Sequence, residues 1–420
     1  MAMFLGEGVV AVQVDELAGK SVGARIQAHR ERRGMSRPVL AGLVGRSADW
    51  LKKVEKGHLL PPRLSMLVRI AEALGLPGVA ELVGDQSTLV DAARRVEGHD
   101  AVPAIRAAVE RPLLVVETDA VPNANELRER ADHAWWVWHS SASPRADVGR
   151  LLPRLIRDAR HATRVLDGRE RRIAYATLTA IYALVEQVIA WVSDSALLWL
   201  SADRCMAAAE QADDPDSLAA ASWVVGNVWR ATGREDDALR LANDAADLLA
   251  PYLETGSDDS RALFGACRLH AALTAARLGR EGDALRYLDD ADGIGARLPA
   301  GYAHPWTLFG RANTELTGVS VHVGLRKGGT ALDKASVVDP DALPSLDRRA
   351  RLWLETARAY AQRRDYTSAL HVLQRATSLS GESMRCHPLS RGLAAELVTS
   401  GGRLIEREAR ELATRLGVQH

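Results

Sequence analysis

Four turns recur through the second half of this 420-residue chain, each followed by two small residues seven positions apart. The turns occupy 233–237, 279–283, 326–330 and 364–368. The pairs behind them are Ala238 and Ala245, Ala284 and Ala291, Ala331 and Val338, and Ala369 and Ala376. Their leading members are separated by 46, 47 and 38 residues. Seven residues span two helical turns, so each pair marks one strip of a helix. Ahead of the turns, Gly226 stands with Trp229, Ala272 with Ala275 and Ala357 with Tyr360. Small strips let the two helices of a hairpin approach closely, and large residues fill the gaps between hairpins. One such hairpin cannot bury its own apolar face, so the pattern demands a stack. From about residue 123 onward the chain reads as amphipathic helices with short loops and no strand alternation. Less regular hairpins are expected back through 159–213 and towards Leu127, with a closing helix over 402–416.

Residues 34–57 carry a different pattern. Ser36 can cap a helix in which Leu40, Ala41 and Val44 share a buried face. Gly45 supplies the left-handed residue that ends it, and Ser47 caps the next helix. There Leu51 and Val54 point inward, leaving Ala48, Asp49, Lys52, Lys53 and Lys56 exposed, with Gly57 as the stop. A preceding helix over 22–33 keeps Ile26 inward and is expected to display Arg25, Arg30, Arg32 and Arg33. Pro61 and Pro62 keep the loop 58–63 out of helix. Ser65 is expected to cap a fourth helix over 66–74, and a short helical turn is expected near 79–82. Two short helices joined by a glycine turn, the second bearing exposed cations, suit the major groove of DNA.

The charge distribution agrees. The chain has 54 basic and 54 acidic residues, a formal charge of zero. Residues 20–80 hold 12 Lys and Arg against 4 Asp and Glu, which leaves 42 and 50 elsewhere. Four of the six lysines (Lys20, Lys52, Lys53 and Lys56) sit in that stretch. A basic head on an acidic body points to a polyanionic partner for the head. No apolar run approaches a membrane span of about 20 residues, and the acidic opening stretch does not read as a secretory signal. Cys205, Cys267 and Cys386 have no ligand spacing and read as buried reduced thiols of a cytoplasmic protein. The segment 326–330 lacks the residue order and the preceding strand of a phosphate loop. No acid pair, nucleophile motif or metal motif supports catalysis, so no cofactor and no enzyme is expected. Trp135, Trp136, Trp138 and His139 point around one helix, so part of that cluster is expected in the core and part at a dimer contact.

The head resembles the phage-repressor-type helix-turn-helix family, also called the xenobiotic-response-element family. The resemblance rests on Arg30, Gly34, Ser36, Leu40, Ala41, Gly45, Ser47, Leu51, Val54, Glu55, Gly57 and the helix with Leu67, Ile70, Ala71 and Leu74. It implies that Ala48, Asp49, Trp50 and Lys53 face base edges and that Arg37 and Arg63 meet phosphates. It also implies an ion pair between Arg30 and Glu55. Arg46, Ser47, Lys52 and Lys56 complete the expected DNA-facing set. Asp49 and Trp50 depart from the residues usual at such positions. Asp49 either accepts from cytosine N4 or serves the helix N-terminus, and Trp50 either meets the DNA or folds back over the preceding helix.

The body resembles the tetratricopeptide repeat. Head and body together resemble the peptide-responsive regulators of bacterial cell–cell signalling. That resemblance implies a homodimer on a double-stranded DNA operator and a signalling peptide or small-molecule effector in the concave groove. First helices line such a groove, which places Trp223, Asn227, Arg230, Arg277, Asn313, Arg351 and Arg358 there. The expected fold is all-α, a five-helix helix-turn-helix domain followed by a tetratricopeptide-like α-solenoid. The expected parts are a tail over 1–20, the head over 21–83, a linker with short helices at 88–96 and 102–109 over 84–122, and the repeat domain over 123–420. The alternative is a protein-interaction adaptor whose repeats recruit a partner protein to DNA.

Overall fold

The computed structural model describes residues 17, 20–57, 62, 64–76, 78, 80–83, 98–112 and 123–418. The fold is all-α, and the chain divides into two compact units, Met1–Ala92 and Ala93–His420.

The first unit is built from α1 (Val22–Arg32), α2 (Arg37–Leu43), α3 (Ala48–Glu55), α4 (Leu64–Ala73) and α5 (Ala80–Val83). Ser21, Ser36 and Ser47 each accept a backbone N–H of the first turn behind them, at 3.3, 3.4 and 3.1 Å. Each caps a donor that the helix itself cannot satisfy. Gly45 takes φ 68° between α2 and α3, a value that a side chain would oppose. Ile26, Leu40, Val44, Leu51, Ile70, Leu74 and Leu82 are fully buried together in one core. α1 lies so close to α3 that a Cβ on Gly23 would stand 2.1 Å from the Val54 carbonyl oxygen.

Three expectations for this unit need correction or fall away. Arg25 and Arg30 are buried, not displayed. Arg25 donates to the Glu81 carbonyl at 3.3 Å, and Arg30 is bound to a buried carboxylate. Helix α4 begins before Ser65, which is therefore a helical residue and not its cap. The loop 58–63, apart from Pro62, lies outside the described residues, and so does the segment 88–96.

The second unit starts with α6 (Val102–Glu110), which packs on the helix Pro144–Val165 and so belongs to the array's first layer. The array continues with α7 (Ala124–Ser140), α8 (Pro144–Val165), α9 (Gly168–Ile189), α10 (Ser195–Ala212), α11 (Pro215–Ala231), α12 (Glu235–Leu249), α13 (Asp258–Leu278), α14 (Glu281–Gly295), α15 (Arg311–Gly324), α16 (Gly328–Ala335), α17 (Leu346–Gln362) and α18 (Tyr366–Leu379). It ends in α19 (Gly381–Cys386), α20 (Pro388–Ser400) and α21 (Glu406–Arg415). Helices α9, α11, α13, α15 and α17 each pack on the next of that series, forming an inner layer. Helices α10, α12, α14, α16 and α18 pair with them on the outside. This is a tetratricopeptide-like α-solenoid.

All eight marker residues of the repeat are buried. The residues that lead the four turns, Gly233, Gly279, Arg326 and Arg364, all take φ between 63° and 83°. Glycine or arginine thus fills one conformational role, at more strain for arginine. Trp191 (φ 66°) holds the same place between α9 and α10.

The beginning and end of this unit meet. Helix α7 touches α17, and Trp135 stacks on Trp306 with centroids 6.2 Å apart. The Trp135 indole donates to the Ala180 carbonyl at 3.1 Å. His139 faces the Pro305 carbonyl at 3.0 Å, and burial holds its pKa down near 4. Trp138 is buried as well, whereas Trp136 is 63% exposed and stacks on His133. Among the described residues no helix is long and apolar enough to cross a membrane. Cys205 and Cys267 are buried, with thiol pKa values pushed up by burial, while Cys386 is half-buried.

Candidate nucleic-acid interface and inner cationic face

Helix α3 is anchored from beneath by Leu51 and Val54 and held at its C-terminal end by Glu55, which is fully buried. Glu55 takes Arg30 on both carboxylate oxygens, at 2.6 and 3.1 Å, and Arg37 on one of them at 2.6 Å. The carboxylate raises the Arg30 pKa through that hydrogen bond. One acid therefore joins α1, α2 and α3 and fixes the angle at which α3 is presented. Arg37 is partly exposed, so part of its guanidinium still faces solvent.

On the outer side, Ala48 is half-buried, and Arg46, Ser47, Asp49, Lys52, Lys53 and Lys56 are exposed. Asp49 pairs with Lys53 one turn on, at 2.7 Å, and that bond is the first cause of its lowered pKa. Trp50 is half-buried against the head core, with the Arg46 guanidinium 5.6 Å from its ring centroid. The tryptophan thus folds back onto its own unit. Arg63 lies outside the described residues.

The inner layer of the solenoid carries a second concentration of charge. All seven residues expected on first helices lie on them: Trp223, Asn227 and Arg230 on α11, Arg277 on α13, Asn313 on α15, Arg351 and Arg358 on α17. Five of them come together. Arg230 donates to the Asn227 amide oxygen at 2.8 Å. Burial, then Arg277 and Arg351, push its pKa down to about 9. Arg277 feels Arg351 and Arg358 in the same way. Arg351 and Arg358 both hold Glu355, the former at 2.9 Å. Trp223 instead packs among the apolar residues of two core clusters. Asn313 is buried at the start of α15, with its side-chain oxygen unpartnered among the described residues.

The sequence did not point to the groups between these arginines. Glu186 on α9 is buried, takes Gln187 at 2.6 Å, and has its pKa raised to about 7 by desolvation. His270 on α13 is buried with its ring against Gly226, where a Cβ would stand 2.4 Å from Cε1. Neither of its ring nitrogens has a partner among the described residues. His387 caps α20, its Nδ1 accepting the Leu389 N–H at 3.1 Å, so a neutral ring carries its proton on Nε2. That Nε2 faces Arg351 Nη1. Burial and the surrounding arginines hold the His387 pKa well below its ordinary value. His270 stands two turns before Arg277 on α13, Glu186 acts on Arg230 from a neighbouring inner helix, and His387 reaches Arg351 from the cap of α20.

A family model described as a helix-turn-helix domain matches residues 21–82. Among solved structures, the chain is similar to the apo form of ComR from S. thermophilus, at 13% identity over 76% of this chain and 94% of that one, with a TM-score of 0.33. It is also similar to PlcR from Bacillus thuringiensis in complex with the peptide PapR7 and DNA, at 10% identity over 89% and 98%, TM-score 0.28. A third is ComR from Streptococcus suis, at 14% identity over 65% and 94%, TM-score 0.18. No curated protein matches the chain.

Proposed function

We propose that this chain is a sequence-specific, DNA-binding transcriptional regulator of the cytoplasm. The head (21–83) reads duplex DNA, and the repeat domain (123–420) binds an effector on its inner face. The stretch 84–122 lies between them, its helix α6 packed on the array. The observation that carries the reading is α3, where Lys52, Lys53, Lys56 and Asp49 stand exposed on a helix whose opposite face is locked by Leu51, Val54 and Glu55. A rigid helix with one polar, cation-bearing face free is what base readout requires, because phosphate contacts position and base contacts specify.

In this reading Lys53 and Asp49 face base edges beside Ala48. Ser47, Lys52, Lys56, Arg46, Arg37 and Arg63 lie along the phosphates, and Trp50 supports Arg46. A homodimer places two heads on half-sites about 34 Å apart. An effector that favours one arrangement of the array alters that spacing by linkage. Selection of bound fragments from randomised duplex DNA tests the proposal. A two-fold-related motif supports it, and recovery of random sequence contradicts it. A partner protein recovered at one-to-one stoichiometry, with DNA affinity blind to ligands, would instead favour the adaptor.

A further inference from the structure

We infer that the cleft between α8, α9 and α10 binds a small organic anion, with Arg160 and Arg204 holding a phosphate or carboxylate group and the apolar wall holding a compact body. The site uses none of the inner-face arginines and does not depend on reading that face as the effector site.

The first support is a cationic cleft with no acid in its lining. It measures about 370 Å³, enough to take up a small organic ligand. Arg160 and Arg164 line it from α8, Tyr175, Leu178 and Tyr182 from α9, and Arg204 from α10, with no Asp or Glu beside them. Other arginines of α8 and α9 are paired: Arg154 with Asp158 at 3.6 Å, and Arg171 with Asp167 at 2.7 Å. Arg160 and Arg204 have no ion pair among the described residues. Burial lowers the Arg160 pKa, and Arg204 and Arg164 lower it further. Burial raises that of Tyr182 while Arg160 and Arg204 lower it, so both guanidinium groups lie near one phenol. Among the described residues no carboxylate contributes to either shift. Like charges in a partly desolvated cleft repel, and a bound counter-charge relieves them.

The second support is how the two guanidinium groups are held. Arg160 Nη1 donates to the carbonyl of Arg111, the C-cap residue of α6, at 2.7 Å, which fixes the group without neutralising it. Arg204 Nη1 is buried with no hydrogen-bond partner among the described residues. Both groups therefore keep a full charge, and their forks match the paired oxygens of a phosphate or a carboxylate. The remaining wall is apolar. Leu178 is buried, and Tyr175 packs against the same core. A bare inorganic ion gains nothing from that wall, whereas an organic body buries apolar area against it.

The test is calorimetric titration of the full chain with phenyl phosphate and with benzoate. Benzamide removes the charge, and inorganic phosphate and acetate remove the body. The expected result is saturable binding of phenyl phosphate, benzoate or both, at least about tenfold tighter than benzamide and than the matching bare anion. Which of the two binds more tightly separates a phosphate source from a carboxylate source. R204Q should weaken that binding at least about tenfold, the range for a hydrogen bond to a charged group. A207E plants a carboxylate at an exposed position of the cleft without removing an arginine, and should weaken it by a similar factor. R150Q, exposed in the first half of α8, should leave it unchanged. The helical circular dichroism signal confirms each fold, and A207E decides alone if R204Q does not fold. Binding of both probes no tighter than benzamide overturns the inference, and so does a bare anion that matches its parent. Wild-type affinity in A207E, or in folded R204Q, overturns it as well.

Discussion

The Arg145 backbone N–H donates to the Glu382 carboxylate at 2.8 Å, across 237 residues of sequence. Glu382 also accepts the Ala146 N–H at 3.2 Å and faces His99 Nε2 at 3.2 Å. Ser143, the local N-cap residue of α8, makes no side-chain cap bond. The array's last turns therefore cap one of its first helices, and the carboxylate meets the positive end of the α8 dipole. Glu382→Ala should cost about 1 kcal/mol, the usual worth of a cap. Glu382→Gln, which keeps an acceptor oxygen, should recover part of it. Urea denaturation of the three proteins checks this, and equal midpoints for wild type and E382A would refute the closure.

Glu55 is the corresponding keystone of the head. Glu55→Gln leaves Arg30 buried opposite a neutral amide, and breaking a buried pair from one side costs about 3 kcal/mol or more. Amide hydrogen exchange in α1–α3 should accelerate strongly, with no change in α9–α18. Protection retained across α1–α3 would show that the pair does not hold the head together.

Two glycines should respond in opposite directions to alanine. A Cβ at Gly265 would stand 2.0 Å from Cζ of the fully buried Phe309. Overpacking there should destabilise by about 1–3 kcal/mol. At Gly293 on α14 a Cβ meets nothing within 4 Å. Alanine there should stabilise by about 0.5–1 kcal/mol through helix propensity. Thermal melts separate the two, and shifts of the same sign would contradict the packing described.

Glu186 makes stability depend on pH with an unusual sign. Burial raises its pKa from the ordinary 4.5 to about 7. Between those values the folded chain binds more protons than the unfolded one. Its contribution is therefore full below pH 4.5 and is lost as pH rises through 7. Glu186→Gln should remove that decline and gain on the order of 2–3 kcal/mol relative to wild type at pH 8. The difference between the two stability–pH profiles is the measurement, and parallel profiles from pH 4.5 to 8 would refute the assignment.

Much of this was legible from residues because it rests on short-range rules. Ser36, Gly45 and Ser47 announce two caps and a turn, and the alanine pairs announce the hairpins. What stayed hidden depends on long-range contact. Trp191 adopts the left-handed turn conformation that glycine advertises elsewhere, so the earlier hairpin was less visible. Arg25 looked like a surface cation because its acceptor, the Glu81 carbonyl, lies 56 residues away. Glu186 meets Arg230 from another helix, and His387 meets Arg351 from 36 residues away. The arginines were expected on first helices by tetratricopeptide geometry, counted from the turns, and they lie on those helices. The resemblance to helix-turn-helix repressors implied the bond between Arg30 and Glu55, while the second partner of Glu55, Arg37, came only with the coordinates.

The measurement that bears most directly on the account is the salt dependence of operator binding by wild type and Lys53→Ala, on a site selected from randomised duplex. Each phosphate neutralised contributes about 0.9 to the slope of log K against log salt. A lysine that reads a base instead contributes about 1–3 kcal/mol of discrimination at its position. The account predicts that K53A loses specificity at one or two base pairs in each half-site, with a slope flatter by no more than about 1. Unchanged sequence preference and unchanged slope in K53A would mean that α3 does not face the DNA.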